Sequence, residues 1–153
     1  LVADRRLEVM EDFISDAVSS GGEVISGGGR GQSPGSFFEP TLIRDVPDTA
    51  KIMIEEPFGP VAPSASFSSI DEIIERANSL PFGLASYAFT SNPRTSQILK
   101  SEIESGMLAI NSMHIHSVET PFGGLKHSGY GYEGSIEGLE AFLVTKYSSE
   151  IYT

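Results

Sequence analysis

Residues 61–111 read VAPSASFSSIDEIIERANSLPFGLASYAFTSNPRTSQILKSEIESGMLAIN, and this stretch decides the fold. Val61 to Phe67 is extended and apolar, and Ser68-Ser69 offers a helix cap. Ile70, Ile73, Ile74 and Ala77 then recur at helical spacing up to Leu80. The pattern repeats at once. Leu84 to Phe89 reads as a strand, Thr90-Ser91-Asn92 as a cap, and Pro93 suits the first helical position. The helix runs through Thr95 to Glu104, stops at Gly106, and gives way to the strand Met107–Ile110. Strands alternating with helices of this length predict an α/β fold, a mostly parallel sheet with covering helices and right-handed crossovers.

On the N-terminal side, Val2, Leu7, Met10, Phe13, Ile14, Ala17 and Val18 predict a first helix that starts almost at residue 1, with Asp4 its first candidate cap. Ser19-Ser20-Gly21-Gly22 is its stop signal. Glu23–Ser26 reads as a short strand, 27–35 as a flexible Gly/Ser loop, 37–46 as extended chain, and 48–54 as a helical turn. The chain opens on Leu rather than Met, directly into a helix, and this predicts a piece cut from a longer polypeptide. On the C-terminal side, 111–131 is a long irregular loop at the carboxyl end of a strand, where α/β sheets collect functional residues. Residues 135–142 read as a helix and 143–148 as a strand that needs a distant partner, another subunit included. The expected division is one domain over 1–142 and a pairing strand with its tail over 143–153.

With 153 residues the chain is long enough for one domain. Twenty-one acidic against 10 basic residues give a net charge of −11, which argues against nucleic-acid binding. No apolar run has the length of a membrane span, and no signal peptide opens the sequence. The absence of cysteine excludes disulfides and thiolate metal sites within these residues, and a cytoplasmic location is expected.

Four motifs carry chemistry. Glu55-Glu56-Pro57-Phe58-Gly59-Pro60 places two acids before a Pro/Gly turn. Adjacent side chains on an extended chain point opposite ways, so these are not a paired acid and base. In Pro121-Phe122-Gly123-Gly124 the glycines permit a tight turn that presents the ring. Gly129-Tyr130-Gly131-Tyr132-Glu133-Gly134 matches G-x-G-x-x-G in letters, but no strand leads into it and no acid follows at a second strand end, so a phosphate-binding reading fails. His114 and His116 form an H-x-H pair that would need a third ligand, His127 or Glu119, to hold a metal. The ordinary readings of these motifs are a solvated charge run, a local turn and a polar loop.

Taken together, the Glu-Glu-Pro-Phe-Gly-Pro segment and the run from Pro121 to Gly131 resemble the C-terminal third of the NAD(P)-dependent aldehyde dehydrogenases. Further points of similarity are Gly27-Gly28, Phe38-Glu39-Pro40-Thr41, Asn78 with Phe82-Gly83-Leu84-Ala85, and Gly106 with Asn111. The ending from Glu133 to Tyr147 looks most like the succinate-semialdehyde branch. The resemblance implies that Glu56 accepts hydrogen bonds from the nicotinamide-side ribose of NAD or NADP, with Phe58 close by. It implies that Ile115, His116 and Phe122 line the channel for the aldehyde, and that no metal is used. His116 stands where that branch often has a serine that holds the substrate carboxylate. Tyr132 stands where the family commonly has arginine.

The same resemblance implies that the nucleophilic cysteine, the general-base glutamate, the oxyanion asparagine and the dinucleotide-binding domain belong to upstream sequence. No residue here replaces the thiolate. The expected function is therefore part of an enzyme oxidising an aldehyde to a carboxylic acid. The chain would be inactive alone and homo-oligomeric through its terminal strand in the intact protein. Two other readings stand beside this one: a natural truncated interaction module that pairs with full-length subunits, and a metal module built on His114 and His116.

Overall fold

The N-terminal apolar stripe forms α1 (Arg5–Ser19), which buries Leu7, Met10, Phe13, Ile14 and Ala17. The computed structural model describes residues 1–152. Asp4 precedes α1 without capping it; its carboxylate instead accepts a hydrogen bond from the Ser36 hydroxyl at 2.7 Å. The helix ends as expected. Gly21, at φ 113°, donates to Val18 O and Gly22 donates to Ala17 O, the paired bonds of a Schellman stop.

Three short strands follow: β1 (Glu23–Ser26), β2 (Thr41–Arg44) and β3 (Val61–Pro63), with the turn α2 (Lys51–Ile54) between the last two. They make one sheet in the order β1-β2-β3. The β1/β2 pair is antiparallel, with an irregularity at Ile25, and β2/β3 is parallel. On β2 the alternation of Thr41 and Ile43 inward with Leu42 and Arg44 outward sets one face against α1. Ile43, Val46, Ala50, Ile52, Phe38 and Val61 complete that core. Full burial of a side chain such as Ile43 is worth about 1.5–3 kcal/mol. These elements form a compact unit of their own, Leu1–Ser68.

A second unit begins at Ser69. It contains α3 (Ile70–Asn78), β4 (Phe82–Gly83), β5 (Ala85–Ala88), α4 (Pro93–Glu102), β6 (Met107–Ile110), β7 (Leu125–Lys126) and α5 (Ser135–Glu140). Both expected caps are present. Ser69 Oγ accepts from Glu72 N–H, and Asn92 Oδ1 accepts from the N–H groups of Arg94 and Thr95, with Pro93 next in line. β5 and β6 pair in parallel across the α4 connection, with Ala85 opposite Met107 and Ala88 opposite Ile110.

The mixed α/β character follows the sequence, and the sheet departs from it in two respects. Half of the strand pairings are antiparallel, because β1 folds back on β2 and β4 finds β7 some forty residues away. β3 pairs with β2 alone, so the two repeated units do not continue one sheet.

The expected strand at 143–148 is a correction. Residues 143–152 form no ladder and are exposed, although their composition favours a strand. Extended chain becomes a strand only when its N–H and C=O groups meet a partner. No helix among the described residues is long and apolar enough to cross a membrane.

Candidate functional site

In the first unit, the chain leaves α2 through Glu55, whose N–H donates to Lys51 O at 2.8 Å. It is extended at Glu55 and turns at Phe58. Glu56 is exposed, and its carboxylate makes no hydrogen bond or ion pair among the described residues. A free ionised carboxylate is an acceptor only, suited to a pair of vicinal hydroxyls. Phe58 adopts φ 44°, in the left-handed region, and its ring is 73% exposed. A bulky residue there carries about 1–3 kcal/mol of strain, tolerated where neighbours fix the backbone. The segment is then tied into the sheet, because Thr41 N–H donates to Pro60 O at 2.8 Å.

In the second unit, an open cavity of about 420 Å³ is lined by the start of β6 and by the loop after it. Ile115 and His116 both line it, together with His114, Ser117, Thr120 and Pro121. The His116 ring meets Phe122 edge to face, with centroids 5.4 Å apart and planes at 85°. Of the sequence-predicted trio, Ile115 and His116 line the cavity, and Phe122 is not among its lining residues but reaches it through the His116 ring. Ser117 and Thr120 were not singled out from sequence. They close the loop on itself: Ser117 N–H donates to Thr120 Oγ1 at 2.9 Å, and Thr120 N–H returns to Ser117 O at 3.2 Å. A hydrogen bond from Ser117 also holds the Glu119 carboxyl below the usual carboxylate range. The cavity lining contains no Asp, Glu, Lys or Arg. Among the described residues no three His, Cys, Asp or Glu side chains gather to hold a metal.

The glycines act differently from the turn expected of them. Neither Gly123 nor Gly124 has a positive φ. Their lack of a side chain is needed for close approach: a Cβ on Gly123 would strike Gly131 O and the Tyr132 ring, and one on Gly106 would strike Gly123 O. Behind Phe122 lies the Gly-Tyr-Gly-Tyr-Glu segment, joined by two backbone bonds of 2.7 Å between Phe122 and Glu133.

Lys126, read as loop in the sequence, anchors the other end. Its ammonium donates to Asn78 O at the end of α3 and to Leu80 O just after it, and pairs with Glu104 at 2.6 Å. Asn111, at φ 55°, joins the ends of β5 and β6 by exchanging two 2.8 Å hydrogen bonds with the Thr90 backbone.

The aldehyde dehydrogenase family model matches residues 1–148. This chain belongs to the aldehyde dehydrogenase family. It is 44% identical over 147 residues to a probable NADP(+) succinate-semialdehyde dehydrogenase of Sinorhizobium fredii, covering 96% of this chain and 30% of that protein. It is 43% identical over 143 residues to the 4-(hydroxymethyl)benzenesulfonate dehydrogenase of Comamonas testosteroni, covering 94% of this chain and 30% of that protein. Among solved structures, succinate-semialdehyde dehydrogenase from Burkholderia pseudomallei superposes with a TM-score of 0.90 at 35% identity, covering 94% of this chain and 30% of that one. The chain thus spans about 30% of the length of these relatives.

Proposed function

We propose that the chain is the C-terminal part of the catalytic domain of an NAD(P)-dependent aldehyde dehydrogenase that oxidises an aldehyde to a carboxylic acid. NAD(P)+ supplies the hydride acceptor when bound. Toward it this chain contributes the Glu56 carboxylate, as acceptor for ribose hydroxyls, and the Phe58 ring. The unpartnered carboxylate and the displayed ring support that reading. Ile115, His116 and Phe122 are walls of the aldehyde channel, and the observation that carries this is the His116–Phe122 ring contact on the loop that lines the cavity. The thiolate, the base and most of the dinucleotide site come from the rest of the protein, so the chain alone does not turn over.

The substrate class proposed is an aldehyde with an anionic end. The names of the relatives point to carboxylate- and sulfonate-bearing compounds: succinate semialdehyde, 3-sulfolactaldehyde and 4-(hydroxymethyl)benzenesulfonate. The cavity here offers neutral donors and imidazoles and no carboxylate to repel such a group. Residues 143–152 are proposed to complete a sheet in a second subunit, supported by their exposed Leu143, Val144, Tyr147 and Ile151.

Variants of the full-length protein test the assignment. Glu56→Gln should weaken NAD(P)+ binding with little change in the aldehyde KM, and His116→Ala should do the reverse, most strongly for carboxylate-bearing aldehydes. Equal effects of both variants on both ligands would refute it.

A further inference from the structure

Within the first unit, α1 touches the stretch 51–60 at three points. Asp16 Oδ2 accepts from the N–H of Lys51 at 2.7 Å, where the turn into Glu55 begins. The Arg6 guanidinium donates to Pro57 O. Met10, fully buried, lies under Gly59, where any Cβ would collide with its sulfur.

Arg6 is the informative member. Glu8, Glu11 and Asp12 stand on the same helix. Yet among the described residues its guanidinium makes no ion pair, and its one side-chain hydrogen bond goes to a neutral carbonyl. That carbonyl lies in the peptide plane joining Pro57 to Phe58. Holding it restricts ψ of Pro57 and φ of Phe58, the strained torsion at 44°. On the far side of Phe58, Gly59 lies against Met10 with no room for a Cβ between them. Phe58 is thus mostly exposed while the carbonyl before it is held by α1 and the glycine after it packs on the same helix.

We infer that Arg6 is a positioning residue for cofactor binding, which holds the Pro57 carbonyl and thereby sets the Phe58 ring and the Glu56 carboxylate beside it. This rests on the reading of Glu56 and Phe58 as cofactor contacts.

The test uses full-length enzyme and calorimetric NAD+ and NADP+ binding, with steady-state aldehyde KM as the second readout. Arg6→Met should raise the cofactor Kd about tenfold, the size expected for a lost charge-assisted hydrogen bond. The aldehyde KM should stay within about twofold, and Arg6→Lys, which keeps a cationic donor, should recover most of the affinity. An unchanged Kd in R6M beside a raised Kd in Glu56→Gln overturns the role of Arg6 and leaves the cofactor reading standing. An unchanged Kd in Glu56→Gln overturns that reading and the inference with it. Arg6→Gln takes the place of R6M should the latter not accumulate. Failure of both to fold, or an even loss across both substrates, assigns Arg6 to stability and also overturns the inference.

Discussion

The two compact units differ in what they bury. The first gathers eleven buried apolar side chains around α1 and β2. In the second, among the described residues, only Leu99, Met107 and Ala109 reach that state. α3 carries Ile70, Ile73 and Ile74 on one face and buries none of them. Phe82, Tyr87, Phe89, Phe142 and Leu143 are exposed as well. The first unit therefore has the larger core, although Phe37, Phe58 and Phe67 are exposed on it. The second holds its shape with polar staples instead: Asn78 to the end of α4, Asn111 to Thr90, and Lys126 to the end of α3. Local hydrogen bonds set geometry, but each contributes only about 0.5–1.5 kcal/mol net.

Hydrogen exchange on the 153-residue chain tests this contrast with the largest expected effect. Amides of α1 and β2 should exchange at least about 100-fold more slowly than those of α3, β5 and β6, a difference near 2.7 kcal/mol in opening free energy. Equal protection would break the contrast. A mutational pair sharpens it. Met10→Ala should cost about 2–5 kcal/mol of cooperative unfolding free energy, and Leu99→Ala about half as much, because its small core has less packing to lose. Chemical denaturation of the two variants ranks them, and a larger loss for Leu99 would reverse the account.

The smallest effect concerns charge in the first unit. A hydrogen bond from Arg30, aided by its charge, holds the Glu11 carboxyl below the usual carboxylate range. A depressed folded value means that the contribution is complete above the ordinary glutamate range and is lost as pH falls through the folded value. Both groups are exposed, so the effect is slight. Glu11→Gln should lower the melting temperature a little at neutral pH, and the gap to wild type should close in acid. A gap that persists at low pH would point to packing rather than charge.

Much of this was legible in the sequence, and the remainder has physical reasons. Ser69, Asn92 with Pro93, and Gly21-Gly22 act within a few residues, so α1, α3 and α4 could be placed from local chemistry. The β4/β7 pair could not, since each strand has two residues and its partner is remote. Residues 143–148 have strand composition but no partner, and composition alone does not make a ladder.

At the candidate site, Ile115, His116 and Phe122 were named from sequence; the first two line the cavity and Phe122 touches His116. Ser117 and Thr120 were missed because hydroxyls in a loop carry no distinctive spacing. The contacts of Arg6 and Met10 with Pro57 and Gly59 were missed because they span about fifty residues along the chain. The glycine pair at 123–124 was seen and read as a tight turn, but what it answers is crowding, by Gly131 and Tyr132 at Gly123 and by Ser128 at Gly124.

The most direct test of the central claim is NAD(P)H formation by the purified 153-residue chain, supplied with NAD(P)+ and a carboxylate-bearing aldehyde, beside the full-length protein. A chain that provides pocket walls but no thiolate should give no aldehyde-dependent NAD(P)H, while the full-length protein turns over. Aldehyde-dependent NAD(P)H from the chain alone would contradict it.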